Sequence, residues 1–308
     1  MAEIRPAADV DVESWVDLHN RIEPRLPLMV EAVREWRPRE PTLTDLFAFD
    51  RGRPIGVGRV FEAGDLRGGE VAAAFFGVLA DERHRGAGGA LYRAVSEHAR
   101  TLEKNELQVE TWADEEEGLR FLTRRGFREV ERYDCVRLDL ERASAPAPAP
   151  PAGVELVTRE RRPDLVDAMY EVACEAWPDM PSEDPLGASY EDWRGFEILH
   201  PSRRADLTFL AVADGEVVGY ASAYAVPGGE DAWHLMTAVK RAWRRRGVAT
   251  ALKQAQIAAA KSAGFRGLVT FNEMRNAPMR ALNARLGYRP LPAQIRLRGP
   301  LAAIGRKS

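Results

Sequence analysis

An internal repeat constrains the fold of this chain more than any other feature of its sequence. The passage VLADERHRGAGGAL begins at Val78, and VKRAWRRRGVATAL begins 161 residues later, at Val239. The same offset takes Gly126 to Gly287, so residues 78–127 recur as residues 239–288 without insertion or deletion. With 308 residues the chain is long enough for two ordinary domains. We therefore expect one fold to occur twice.

A segment rich in proline and alanine separates the two copies. Residues 141–156 spell ERASAPAPAPPAGVEL, and the prolines remove backbone donors and favour an extended path over helix or sheet. We therefore predict a first domain over residues 1–142, a linker over residues 143–153 and a second domain over residues 154–308.

Charge and apolar content exclude several function classes. The formal net charge of -3 gives no general attraction to nucleic acid or to an anionic membrane. The chain shows no apolar run of ~20 residues and no apolar segment near its start, so we expect a cytoplasmic protein with neither a membrane nor a nucleic-acid partner. No spacing of His, Cys, Asp or Glu suggests a metal site, and we expect Cys135 and Cys174 to be reduced.

Both copies show the same order of elements: helices, a hairpin, a third strand, a long helix, a fourth strand, another helix and a final strand. In the second copy the third strand is predicted over Trp233–Val239, the long helix from Gly247, the fourth strand over residues 267–271 and the last helix from near Asn276. A strand, helix and strand in sequence imply a right-handed crossover that makes the third and fourth strands parallel. The fold class is therefore α/β with a mixed sheet.

The turn before each long helix has the composition of an anion site. In the second copy it reads Arg244-Arg245-Arg246-Gly247-Val248-Ala249, where backbone N–H groups, the helix dipole and guanidinium groups all favour phosphate oxygens. A solvated basic turn is the alternative. The recurrence of Arg83-His84-Arg85-Gly86-Ala87-Gly88 at the same place in the first copy favours a pyrophosphate site.

These ordered motifs resemble the GNAT superfamily of N-acetyltransferases, in a tandem form that covers nearly the whole chain. The resemblance rests on a valine, four residues, Arg-x-x-Gly-x-Gly/Ala, a long helix, a strand, and a helix that ends in glycine followed by Phe or Tyr. It implies a mostly antiparallel sheet in each domain, flanked by helices, with the third and fourth strands splayed apart. It also implies that acetyl-CoA enters this splay and that CoA leaves as product.

The resemblance assigns cofactor contacts residue by residue. The backbone of Thr237, Ala238 and Val239 is expected to pair with the pantetheine arm. The pyrophosphate is expected on Arg244, Arg245, Arg246, Gly247, Val248, Ala249 and Thr250. The corresponding contacts of the first copy are Val78, Arg83, His84, Arg85, Gly86, Ala87, Gly88 and Gly89.

Polar residues near the fourth strand distinguish the copies. Asn272 and Asn276 could bond to amides of the cofactor, whereas their counterparts are Thr111 and Glu115, and Glu115 lies in an acidic run that repels an anion. Asn276 is equally suited to cap the following helix. We predict that the second copy is the working one.

The acid and base of the reaction are less evident. Many family members carry a glutamate and a tyrosine where this chain has Trp233 and Asn283. The remaining candidates are His234 as base, Tyr224 as acid, Asn283 as hydrogen-bond donor, and Glu230 or Asp231 acting through water. Alternation along the strand places His234 opposite Trp233, which is equally consistent with a packed histidine.

We expect an acetyl-CoA-dependent N-acetyltransferase acting on a primary amine of a small molecule. The acidic and aromatic segment of residues 171–193 would favour a cationic acceptor, or it is an ordinary solvated surface. Two alternatives of other classes remain: a CoA-binding regulatory module without turnover, and an interaction scaffold that binds neither.

Overall fold

The computed structural model describes residues 2–63, 66, 68–143, 147–181, 187–226 and 228–303. The chain forms two compact units, the first made of Met1–Val130 with Ile295–Ser308 and the second of Glu131–Gln294. These units differ from the sequence-based division, because residues 131–142 belong to the second unit and residues 295–308 to the first. Each half of the chain therefore supplies the final strand of the other half's unit.

The first unit contains a sheet flanked by helices. Its strands follow the order β1-β2-β3-β4-β5-β13, and the pairs from β1 to β4 are antiparallel. Its elements are β1 (Glu3–Pro6), α1 (Val12–Ile22), α2 (Val30–Trp36), β2 (Thr44–Asp50), β3 (Arg53–Phe61), β4 (Val71–Val78), α3 (Ala87–Thr101), β5 (Glu106–Trp112), α4 (Glu116–Thr123) and, from the end of the chain, β13 (Gln294–Pro300).

The second unit repeats this plan in the strand order β6-β11-β10-β9-β8-β7, with the short β12 also pairing with β6. A π-helical turn, Gly195–Leu199, follows its second helix. Its elements are β6 (Arg128–Asp139), β7 (Val154–Thr158), α5 (Val166–Ala176), α6 (Tyr190–Arg194), β8 (Phe209–Ala213), β9 (Glu216–Tyr224), β10 (Asp231–Val239), α7 (Val248–Ser262), β11 (Gly267–Glu273), α8 (Ala277–Arg285) and β12 (Arg289–Pro290).

Local signals in the sequence set the element boundaries. The β8–β9 hairpin turns at Asp214 and Gly215, whose φ angles of 50° and 83° give the twist that two-residue hairpin loops require. Helix α8 begins after Asn276, whose side chain accepts a hydrogen bond from the Met279 N–H at 3.3 Å. The cap expected of Asn276 is therefore present, and Gly287, at φ 93°, follows the end of the helix.

The parallel strands separate after a short ladder in both units. In the second unit, β10 and β11 pair only from Asp231 opposite Gly267 to Trp233 opposite Val269, although β10 continues to Val239. In the first unit, β4 and β5 likewise pair over three positions, beginning with Val71 opposite Glu106. Antiparallel neighbours hold the outer side of each splayed strand, so the fold itself keeps a gap between the members of each parallel pair.

Candidate functional site

The turn before the long helix has the same backbone conformation in both units. Arg245 and Gly247 have φ angles of 59° and 92°, and the matching His84 and Gly86 have φ angles of 65° and 87°. A left-handed conformation at a residue other than glycine costs energy, so its occurrence at equivalent positions indicates a shared requirement. In such a turn successive N–H groups face one point, which makes an anion-binding concavity at the helix start.

The first arginine of each motif closes the turn. Arg244 donates from Nε to the Val239 carbonyl at 3.0 Å, and Arg83 donates to the Val78 carbonyl at 3.3 Å. These two arginines therefore have a structural role in the turn. Their contact with a pyrophosphate stays a prediction. The next two residues of each turn are His84 and Arg85 in the first unit and Arg245 and Arg246 in the second. Their side chains contact different neighbours in the two units.

The first unit neutralises its turn with its own carboxylates. Arg83 and His84 contact Glu117 at 3.1 and 3.3 Å, and Arg85 contacts Glu82 at 2.6 Å. In the second unit the residues at the positions of Glu117 and Glu82 are Pro278 and Trp243.

In the second unit only part of the turn's charge is compensated. Arg244 pairs with Asp179 at 2.7 Å, while Arg245 and Arg246 have no ion pair among the described residues. The Arg246 guanidinium lies 5.1 Å from the Trp243 ring instead. The second turn therefore retains positive charge for an anionic ligand.

Unpaired amides surround the splay of the second unit. Asn283, which is 1% exposed, has no hydrogen-bond partner for Nδ2 or Oδ1 within the described chain, and Nδ2 of the buried Asn272 has none either. Burying an amide without a partner costs roughly 1–3 kcal/mol. Amide groups of this kind can hydrogen-bond a ligand that itself carries amides.

Aromatic rings occupy the same region of the first unit. Phe76 of β4, at the position of Thr237, packs against Tyr92 of α3 and Phe121 of α4, with ring centroids 6.0 and 6.1 Å away. Leu122 stands where the second unit has Asn283, and it is buried in the same apolar cluster. The first splay is therefore apolar and filled by side chains of its own chain.

The side chain of His234 lies on the α7 face of the sheet, as strand alternation predicts. Its Nδ1–H donates to Gln256 Oε1 at 2.7 Å, and the Tyr288 hydroxyl donates to its Nε2. Burial and the charge of Lys253 hold the pKa of His234 well below its usual range, so the ring is neutral. Burial also lowers the pKa of Lys253 to about 7. The catalytic role of His234 stays a prediction, and both its ring nitrogens already have partners.

An aromatic row lies on the opposite face of the sheet. The Trp233 ring is stacked between Tyr224 and Phe271, with centroids 5.9 and 5.4 Å away. Burial raises the pKa of Tyr224 to about 12, so its hydroxyl keeps its proton at neutral pH. The other two candidates, Glu230 and Asp231, form ion pairs with Arg266 at 3.0 Å and Arg137 at 2.7 Å.

A bulge interrupts β10 beside this row. Between His234 and Thr237 the strand places two residues opposite Ser222 of β9, and the Met236 N–H donates to the Ser222 hydroxyl at 3.2 Å. The Ser222 hydroxyl in turn hydrogen-bonds the carboxylate of Glu197. Strand β4 pairs with β3 through the corresponding stretch without a register shift.

Glu197 is a site residue that the sequence reasoning missed. It lies in the π-helical turn, is 4% exposed, and its Oε1 has no hydrogen-bond partner among the described residues. Burial raises its pKa to about 7, against the opposing effects of Ser222, Arg203 and Arg159. The one available signal was an acidic residue between apolar neighbours, in the string GFEIL.

The acidic segment of residues 171–193 is partly used to hold the basic turn. Glu175 accepts a hydrogen bond from the Arg241 N–H, and Asp179 pairs with Arg241 as well as Arg244. Glu183 and Asp184 lie outside the described residues. In the described part of the chain, no three His, Cys, Asp or Glu side chains form a metal-binding group, and no helix is long and apolar enough to cross a bilayer.

Comparison with known proteins gives a single family. The model of the acetyltransferase (GNAT) family matches the chain twice, over residues 11–127 and 166–288. No curated protein sequence matches the chain significantly.

Two solved structures share the fold over nearly the whole chain. A tandem GNAT protein from the clavulanic acid biosynthesis pathway has a TM-score of 0.81 at 24% identity, over 99% of this chain and 100% of that one. A GCN5-related N-acetyltransferase from Sphaerobacter thermophilus has a TM-score of 0.70 at 21% identity, over 98% and 96% of the two chains. The tandem arrangement expected from the repeat is therefore confirmed.

Proposed function

Because the chain belongs to the acetyltransferase (GNAT) family, we propose that its second unit transfers an acetyl group from acetyl-CoA to a primary amine of a small molecule. The observation that carries this proposal is the difference between the two splays. Within the part of the chain that the structure describes, buried amide atoms without partners adjoin the second splay, and two guanidinium groups of the neighbouring turn form no ion pair. Each feature matches one part of acetyl-CoA.

The assignment of cofactor contacts follows the geometry of the second unit. The turn from Arg244 to Thr250 would hold the pyrophosphate through backbone N–H groups and through Arg245 and Arg246. Beyond the end of the short ladder, the edge of β10 from Thr237 to Val239 would accept the pantetheine arm as an added strand. Nδ2 of Asn272 and the side-chain amide of Asn283, which have no partner among the described residues, would hydrogen-bond the same arm.

The acceptor would enter from the face that carries Tyr224, Trp233 and Phe271. Aromatic faces attract cations, so a protonated amine is favoured there. Trp233 stands where many relatives carry a glutamate, and it thus offers binding surface in place of a base.

Thiol release from acetyl-CoA with a panel of amines tests the proposed function. We expect turnover with at least one primary amine, and we expect Thr237→Phe, which copies the first unit's Phe76, to lower it by weakening acetyl-CoA binding. Acetyl-CoA binding without turnover on any amine would instead favour a CoA-binding regulatory module. Absence of a thermal shift with either acetyl-CoA or CoA would contradict both functions.

A further inference from the structure

We propose that Glu197 is the catalytic base of the second unit and takes a proton from the acceptor amine. This inference rests on the proposed function. It begins from a carboxylate that the fold buries although no arginine or lysine forms an ion pair with it in the described chain. Burying such a group costs free energy, and carboxylates in surroundings of this kind are common at functional sites.

The two oxygen atoms of the buried Glu197 carboxylate differ in their surroundings. The Ser222 hydroxyl donates to the carboxylate and accepts the Met236 N–H at 3.2 Å, so one side of the carboxylate is tied to the bulge of β10. Oε1 has no partner among the described residues. An anchored carboxylate with one free oxygen has the geometry of a proton acceptor.

The position of Ser222 places Glu197 on the acceptor side of the sheet. Ser222 and Tyr224 are two residues apart on β9 and therefore face the same side, which is the side of the aromatic row. His234 and its partners lie on the other side, against α7. An ammonium group bound on the rings of Tyr224 and Trp233 would thus share a face of the sheet with Glu197.

The segment that carries Glu197 is also open to solvent at one point. Phe196, its neighbour in the π-helical turn, is 58% exposed, and the Arg203 guanidinium lies 4.6 Å from its ring. π-helical turns are rare and occur often at functional sites. Here the turn combines an inward carboxylate with an outward ring.

The surroundings of Glu197 keep its proton affinity near neutrality. Burial raises its pKa to about 7, while Arg203 and Arg159 oppose the rise. Tyr220 of β9 faces the same group, and Cys174 of α5 faces Tyr220. A base with a pKa near the working pH can both accept and release a proton.

The reaction balances with acetyl-CoA as the only co-reactant. An ammonium N–H bond breaks and its proton moves to Glu197 Oε1. The freed nitrogen lone pair forms a C–N bond with the acetyl carbonyl carbon. The C–S bond breaks, its electron pair leaves on sulfur, and sulfur takes the second proton from nitrogen to give the CoA thiol. Glu197 then releases its proton to water.

The experiment compares Glu197→Gln with the matched control Glu155→Gln, an exposed glutamate on β7. Thiol release is measured from pH 6 to pH 9 with a strongly basic alkylamine and with a weakly basic amine that is already neutral. We expect E197Q to lower kcat/KM for the alkylamine by ~10²–10⁴-fold. On the alkylamine, the wild-type rate should level off above about pH 7, whereas the E197Q rate should keep rising up to pH 9 with the neutral fraction of the amine. The rate with the weakly basic amine should fall far less, and E155Q should resemble the wild type.

Three outcomes would overturn the inference: wild-type rates in E197Q, an unchanged pH profile, or equal losses on both amines, which indicate a structural role. Should E197Q fail to fold or to bind acetyl-CoA, Glu197→Asp replaces it. That variant keeps a carboxylate, so its rate on the alkylamine must still level off within pH 6–9, and the difference between the two amines must remain. A wild type that acetylates no amine contradicts the proposed function itself and is thereby distinguished from a failure of Glu197.

Discussion

The parallel strands separate in the same way in the two units, but different side chains line the resulting splay. In the first unit Phe76, Tyr92 and Phe121 fill the gap with rings. In the second unit, Nδ2 of Asn272 and both polar side-chain atoms of Asn283 are buried without a partner among the described residues. Packed rings stabilise a fold, and unpaired amides destabilise it. The first splay is therefore closed by apolar packing, whereas the second is lined by buried amide groups.

The same contrast recurs on the other face of the sheet. Arg59 of β3 lies opposite Phe75, forms a buried pair with Asp45 at 2.7 Å, and packs over Trp15 and Trp36. The residue 161 positions after Phe75 is Met236, which in the second unit faces Ser222 across the bulge. The first unit thus retains the turn and the splay of the shared fold, while its polar and aromatic side chains are paired with one another.

The largest effect is expected from exchanging the residue that fills the splay. Thr237→Phe should weaken acetyl-CoA binding roughly 100-fold, because forcing extra volume into a packed site costs up to about 3 kcal/mol. Titration calorimetry measures this change. The reciprocal Phe76→Thr should leave turnover unchanged and lower the Tm. A loss of turnover in Phe76→Thr would place the working site in the first unit.

Charge reversal in the two turns sharpens the comparison. Arg245→Glu with Arg246→Glu should raise the KM for acetyl-CoA about 30-fold, since a hydrogen bond to a charged group contributes about 1.5–3 kcal/mol. The matched pair, His84→Glu with Arg85→Glu, should change KM less than about twofold, because these side chains already contact carboxylates. Equal effects in the two turns would contradict the assignment of binding to one unit.

Copying Leu122 into the second unit should separate stability from binding. Asn283→Leu removes a buried amide without partners, so the free energy of unfolding should rise by about 1–2 kcal/mol. The same change should weaken acetyl-CoA binding about fivefold, since one neutral hydrogen bond contributes about 1 kcal/mol. Denaturant titrations with and without acetyl-CoA measure both. Destabilisation of the free protein would show that Asn283 has a structural partner.

The smallest effect is expected at Asp179, which competes with a phosphate for Arg244. Asp179→Asn should tighten acetyl-CoA binding about threefold, as for other exposed ion pairs. Hydrogen bonds from Arg241 and Arg244 lower the pKa of Asp179 to about 2. The ion pairs of Asp179 are fully present above the ordinary aspartate pKa of 3.8 and are lost only as the pH falls through about 2. The gain in affinity should be equal at pH 5 and pH 8.

Features that depend on local backbone chemistry could be predicted from the sequence. The glycine at each helix start, the two-residue hairpin turn and the cap at Asn276 have one physical solution each. The 161-residue offset then made every difference between the turns and splays visible, including Asn272 against Thr111. The side of the sheet that His234 faces followed from strand alternation.

Features that depend on distant partners could not be predicted in this way. Glu197 lies upstream of the constant offset, in a π-helical turn that has no periodicity of its own, and its importance comes from Ser222 of another strand. The bulge in β10 adds one residue between paired positions, which the apolar pattern does not reveal. The exchange of final strands was hidden because β6 and β13 can complete either sheet with the same alternation.

The exchanged strand β13 has a consequence for how the chain folds. The first unit lacks the neighbour of β5 until residues 294–300 leave the ribosome, after the whole second unit has been made. Closing so long a loop is slow, because its entropy is lost before the new contacts form. We expect amides of β5 to gain protection from hydrogen exchange only after chain completion. Removing residues 295–308 should leave the first unit without this strand and aggregation-prone along the exposed edge.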